Sequence, residues 1–338
     1  MNRLTALTGL LAFLAFVLPL LASAAAPSGS KAKLGVAIVR NDSEGPKYLA
    51  EGGLLPLLEK LGCDVQKYET AALTPEEQKE YGEWNRDALE SRRIGQLAGA
   101  NRLGDGLIIG LLTNCTDLLG MLAGLQHLKP AAEGAAGDER SLQREGLAGL
   151  KPLRVGLVYF DAHADFNTPE TTLSGMLGGM DVAVAAGMGL TRLRLKTGLD
   201  PALPTRYIVF GGLRDVDPLE QELLDRSDCE FLSVEDIRSA SGAVDSQMKR
   251  LSRLADVIYV HVDMDVLDPA EVSGLSLPAP QGPTSQELAN CVQKMFTWPK
   301  TAALGMASSP FGERDKEKRA LRAAYRLVEA AVLGAQSR

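Results

Sequence analysis

Histidine, aromatic residues and any basic surplus are what this chain has least of. Three histidines occur in 338 residues, aromatics make up 5% of them, and the formal net charge at pH 7 is -7. A nucleic-acid partner would call for a basic stripe, and none occurs along the chain. The four cysteines (Cys63, Cys115, Cys229, Cys291) are widely spaced, with no CxxC pair of the kind that frames zinc. In an oxidising compartment they could form disulfides whose pairing sequence does not fix; buried thiols suit them equally well. No internal repeat or composition shift marks a boundary inside the chain, and long apolar runs are missing after the first thirty residues.

Those thirty residues are the exception. Arg3 is soon followed by ALTGLLAFLAFVLPLL and then ASAAAPSGS. A basic start, a short apolar core and an Ala-x-Ala site (Ala22 to Ala24, or Ala24 to Ala26) describe an export signal. The run is short for a bilayer span, and no cysteine follows it to carry a bacterial-type lipid anchor. Residues 1–26 are therefore expected to be removed, leaving 27–338 as one large domain. The mature protein is expected to be exported, periplasmic or secreted if bacterial, with no stable membrane association.

Along that domain, short apolar runs alternate with helix-like segments. Candidate strands are 34–39, 106–112, 155–160, 206–212, 257–262 and 301–306; candidate helices include 54–62, 76–99, 233–255 and 285–296. Continuous apolar strands separated by helices predict an α/β fold, a three-layer doubly wound parallel sheet covered on both faces. Residues 129–152, rich in Ala, Gly and charge, read as a long surface loop with room for one short helix. Function in such sheets sits beyond the carboxyl ends of the strands.

The polar motifs fall there. VGLVYF ends in Asp161, His163 and Asp165 at alternate positions; VIYVHV ends in Asp263 and Asp265. In extended backbone, residues two apart face the same way, so three ligands could project from one strand end. Four unpaired carboxylates in one space would raise one another's pKa values, and divalent cations would remove that repulsion. Mostly oxygen ligands with one imidazole favour manganese first, as one ion or two, with another divalent metal also compatible. Such ions lower the pKa of bound water and prepare hydrolysis near neutral pH. His261 shares the parity of Asp263 and either lies just beneath the carboxylates or is an ordinary core histidine. His127, near a helix end, suits a surface or capping role.

Three separated motifs, DAHADFNTPETTLSG (161–175), GLRDVDPLE (212–220) and HVDMDVLDP (261–269), resemble the arginase/agmatinase ureohydrolases, in that order along the chain. The resemblance implies an arginase-like fold, a binuclear manganese centre, hydrolysis of a guanidino group, and trimers or hexamers as assemblies. Carried over by position, Asp161, His163, Asp165, Asp263 and Asp265 are metal ligands, Asp161 and Asp263 bridging, with Asp161 and Asp165 the candidate catalytic carboxylates. Asn167, Thr172, Ser174 and Asp217 stand where arginases hold an amino acid's head group, so an arginine-like small molecule is the implied substrate.

Three departures accompany the likeness. The family's first metal-ligand histidine, in a GGDH motif, is replaced in GLLTNCTDLLG by Cys115, preceded by Asn114. A thiolate there could bind metal, though sulfur suits softer ions than manganese; a buried thiol or disulfide partner is the alternative. The histidine expected four residues after Ser174 to shuttle protons is Gly178, with Asp181 the nearest substitute in sequence. A glutamate that would face the guanidinium is Ala307. These changes set a hydrolase with an altered substrate against a binding protein or pseudoenzyme with little or no ureohydrolase activity.

Overall fold

Six apolar runs become strands in the computed structural model, and a mostly polar segment and a three-residue one join them at the edges. The structure describes residues 33–101, 104, 106–129 and 151–338. The expected signal segment, and all of the expected surface loop except its ends, lie outside the described residues. The strands are β1 (Gly35–Asn41), β2 (Asp64–Ala71), β3 (Leu107–Leu111), β4 (Val155–Phe160), β5 (Ile208–Gly211), β6 (Glu230–Leu232), β7 (Val257–Asp263) and β8 (Thr301–Ala307). They form one parallel sheet in the order β2-β1-β3-β8-β7-β4-β5-β6. The expected doubly wound α/β arrangement is what the chain adopts.

Strand alternation feeds two separate cores. Ile258, Val260 and Val262 of β7 enter one, with helices Leu55–Lys60, Gly242–Leu254, Ser285–Phe296 and Arg319–Gln336. Val257 and Tyr259 enter the other, with helices Glu83–Gly99, Leu118–Gln126, Asp181–Ala185 and Pro218–Asp225. Burying both faces is what makes the central strands continuously apolar. β2 and β6 escaped the sequence reading because they are edges: DVQKYETA alternates exposed and half-buried residues, and β6 has three residues.

Two expected helices are shorter than their periodic stretches. Within 76–99 the helix begins at Glu83, because Gly82 sits at φ 85°. The stretch 233–255 divides into Val234–Arg238 and Gly242–Leu254, with Ala240 at φ 43° between them. Helix Ser285–Phe296 matches its expected span. Among the described residues, no helix is long and apolar enough to cross a membrane.

Two features bring the polar motifs together. The register sets Phe160 beside Val262 and Asp263 beside Ala307, so β4, β7 and β8 end level in the middle of the sheet. Beside them, helix Leu118–Gln126 lies against Glu83–Gly99 through glycines: a Cβ on Gly120 would stand 1.8 Å from the Ser91 carbonyl oxygen, and one on Gly124 2.5 Å from that of Gly95. Ser91 Oγ receives the Gly120 N–H at 2.7 Å and donates to the Thr116 carbonyl at 3.2 Å. This close packing fixes the turn that carries Cys115.

Candidate metal centre

β4 delivers Asp161, and the chain then leaves the extended conformation at once. His163 N–H donates to Asp161 Oδ1 at 2.7 Å, and Asp165 adopts φ 48°. The expected strand-like alternation is therefore corrected: a turn, not a pleat, gathers Asp161, His163 and Asp165. The left-handed backbone is costly for a non-glycine residue. It is held by the N–H groups of Val182 and Ala183, which reach the Asp165 carbonyl at 2.9 and 3.3 Å. Tyr159, one step back on β4, directs its hydroxyl to Asp161 Oδ2 at 2.9 Å and to Asp165 Oδ2.

β7 supplies the facing groups. Asp263 Oδ1 accepts the Asp265 N–H at 2.9 Å, while its Oδ2 accepts from Cys115 Sγ at 2.9 Å and from Ser308 Oγ. Ser308 follows β8 and sits at φ 58°. Below the carboxylates, His261 is fully buried, with Nδ1 2.8 Å from the Tyr259 hydroxyl and Nε2 3.3 Å from Cys115 Sγ. Both expectations for His261 hold together: it is a bonded core histidine, and it lies under the site.

Ligand-type atoms form two groups, each within 4.8 Å: Cys115, Asp161 and Asp165, and Asp161, His163 and Asp265. Asp161 belongs to both, and Asp263 touches Cys115 of one and Asp265 of the other. His163 Nδ1 lies 3.2 Å from Asp161 Oδ1 and 3.4 Å from Asp265 Oδ2, with Asp215 Oδ2 3.8 Å from its Nε2. All four cysteines are free and buried, so Cys115 is a thiol rather than a disulfide partner.

The electrostatics explain what such a cluster needs. Burial, then the charges of Asp265, Asp165 and Asp263, push the Asp161 carboxyl well above the usual range. Burial likewise raises Asp165, against the hydrogen bond from Tyr159, and lifts Asp263 to about 7. Burial, and then the same carboxylates, raise the Cys115 thiol. Burial works against the charged form of His163, but hydrogen bonds to Asp161 and Asp265 outweigh it and bring the imidazole to about 11. Burial alone lowers His261 to about 3, keeping it neutral. Protons hold this cluster together where cations would. Asp265 Oδ1 is buried without a partner among the described residues. The donor set, rich in carboxylate with one imidazole and one thiol, fits divalent cations.

The head-group residues form two pairs. Asn167 Nδ2 donates to Asp217 Oδ2 at 3.1 Å, and Thr172 Oγ1 lies 3.4 Å from Ser174 Oγ on a turn that exposes Ser174. Asp217 is also the N-cap of helix Pro218–Asp225. At Gly178 an added Cβ would meet nothing within 4 Å. Asp181 does not take over there: it is fully buried, accepts from Thr116 Oγ1 at 3.1 Å, and is cut off from solvent protons. Ala307 is fully buried and offers no charge. Asn114 Oδ1 caps the Cys115 turn by accepting from Thr116 N at 3.0 Å, and His127 stands at the C-cap of Leu118–Gln126.

Several residues that shape the site were not singled out from sequence. Glu220 accepts the N–H groups of Phe166 at 2.7 Å and Asp217 at 3.2 Å, joining two motifs; the D-x-x-E spacing of a capping box was its signal. Arg214 donates to the Asp265 and Ala279 carbonyls at 3.1 and 2.8 Å. Tyr159 and Tyr259 were legible only through strand parity with Asp161 and His261, and Ser308 had no signal.

Comparison with known proteins bears on the family and the fold. Residues 141–332 match the model of the Arginase family. The arginase of Entamoeba histolytica is 30% identical over 71% of this chain and 75% of its own length. Arginase from Bacillus cereus superposes with a TM-score of 0.72 at 18% identity, covering 88% of this chain and 98% of that one. Formimidoylglutamase from Bacillus subtilis superposes at 0.64 and 15% identity, covering 91% and 89%. At these identities the superpositions speak for the fold.

Proposed function

The chain belongs to the arginase family; from that membership we propose that it is a metal-dependent hydrolase, and from the signal-like residues 1–26 that it is exported. Its substrate would be a small amino-acid-like molecule, cleaved at a carbon–nitrogen bond of a guanidino or amidino group. The observation that carries the reading is the pair of ligand groups sharing Asp161. Asp161, Asp263, His163, Asp265, Asp165 and Cys115 would hold the cations, with manganese the first candidate. When bound, divalent cations supply Lewis acidity that activates water and polarises the substrate. Asp165, whose Oδ2 accepts from the Tyr159 hydroxyl, would take a proton from the attacking water. Asn167 with Asp217, and Thr172 with Ser174, hold the head group.

A second reading, a binding protein with little turnover, is favoured by Gly178 and Ala307. General acid–base help is worth roughly 10²–10⁴-fold, so lacking a shuttle slows such chemistry without abolishing it. An uncharged Ala307 offers a guanidinium no anionic partner and suits a substrate whose reacting group is neutral, such as an amide.

Metal analysis of the purified protein, with assays of urea and ammonia release from arginine, agmatine, guanidino acids and formimino amino acids, separates these readings. Turnover on any of them with bound metal supports the hydrolase; tight metal binding without turnover on the whole panel overturns it in favour of the binding protein.

A further inference from the structure

Cys115 is held in a way that an inert thiol does not need. A buried cysteine that only fills space behaves as a small hydrophobe. Here the sulfur is buried between a carboxylate and an imidazole, 2.9 Å from Asp263 Oδ2 and 3.3 Å from His261 Nε2.

The direction of the bond to His261 follows from its other nitrogen. Tyr259 is fully buried, and His261 Nδ1 is the partner of its hydroxyl among the described residues. A buried hydroxyl that only accepted would leave its own proton unpaired, at a cost of about 1–3 kcal/mol. Tyr259 therefore donates to Nδ1, which places the histidine proton on Nε2, aimed at sulfur. The sheet is shaped around this arrangement: a Cβ on Gly305 would stand 2.0 Å from the Tyr259 oxygen. Tyr159 stacks on the imidazole, with centroids 5.2 Å apart and planes at 10°. An N–H donor aimed at a sulfur orients it and favours its thiolate form, as outer-shell hydrogen bonds do for other metal ligands.

We propose that the two cation positions are chemically unlike. The position bounded by Cys115, Asp161 and Asp165 is a thiolate site that selects a softer divalent ion, such as zinc or cobalt, and Tyr259 and His261 orient its sulfur. The position bounded by Asp161, His163 and Asp265 has oxygen and nitrogen donors and suits manganese. The buried, unpartnered Asp265 Oδ1 belongs to that second group. Metal binding at Cys115 displaces the thiol proton, now donated to Asp263, into solvent. This rests on the metal-dependent reading above and adds which ion each position takes.

The test is cobalt and zinc titration of metal-free, full-length mature protein, read by metal analysis and near-ultraviolet absorption. One equivalent of cobalt should give a thiolate-to-metal charge-transfer band, and zinc should displace that cobalt while manganese should not. Cys115→Ser should lose the band and the zinc preference yet keep one cation, its fold checked by circular dichroism. Tyr259→Phe, which removes only the hydroxyl, should keep the band and weaken zinc binding about 10–100-fold. Cobalt bound without a thiolate band, or the same zinc-over-manganese ratio in Cys115→Ser, overturns the thiolate site. Unchanged zinc affinity in Tyr259→Phe overturns the role of the tyrosine and histidine. A wild-type protein that binds no divalent ion overturns the metal-dependent reading itself.

Discussion

Asp161 sits where the two ligand groups overlap, while His163 belongs to one of them. Substituting these residues should therefore have unequal effects. Asp161→Asn is expected to empty both positions, and His163→Ala to leave the cation beside Cys115. Metal content after gel filtration distinguishes them; equal loss in both variants would mean that the positions do not fill separately. At this scale the five ligand-type residues of β4 and β7 were legible, because carboxylates and an imidazole at the end of an apolar run have few other reasons to be there. What gathers them was not. Alternation predicted a pleat, whereas Asp165 turns at φ 48°. Ser308 becomes a partner of Asp263 through a φ of 58° that no residue type announces. Tyr159 and Tyr259 lie within apolar runs and are core aromatics, so packing alone accounts for them in the sequence.

The elements behind the site are held by contacts that leave no room for side chains. Gly120 lies against the Ser91 backbone oxygen, which cannot rotate aside. Gly120→Val should therefore part helices Leu118–Gln126 and Glu83–Gly99, costing about 1–3 kcal/mol as for other overpacked cores, or more. A urea melt would measure it, and a midpoint unchanged from wild type would show that the helices move apart freely. Periodicity located the helices but not their ends. Helix Ser285–Phe296, expected from its apolar pattern, keeps that span because Thr284 and Glu287 cap it, with Glu287 N–H donating to Thr284 Oγ1 at 3.2 Å. The stretches 76–99 and 233–255 ran past Gly82 and Ala240, where positive φ ends a helix while the pattern of apolar residues continues.

Across the whole molecule, the acidic cluster ties stability to pH and to metal. In the metal-free protein, burial and then Asp265 raise Asp263 from 3.8 to about 7, so the folded chain keeps a proton that the unfolded chain releases. Stability from that proton is complete below about 4 and is lost as pH rises through 7. Asp161 and Asp165, also raised by burial, act in the same direction. His163, raised to about 11, adds to it above its ordinary 6.5. A bound cation favours the ionised carboxylates and reverses the trend. The melting temperature of chelator-treated protein should therefore fall from pH 6 to pH 8, and the rise produced by added manganese should be larger at pH 8. A chelator-treated melt that is flat over this range would show that the cluster is already relieved without metal.

The two edge strands that escaped the sequence reading bear on how this molecule meets its neighbours. An open parallel sheet invites polymerisation, one chain's rim pairing with the next. β2 meets that hazard with Asp64, Lys67 and Glu69 along its length, and β6 offers three residues. Growth by strand addition is disfavoured at both ends, which leaves helices and loops as the surfaces on which an ordered assembly of copies would be built.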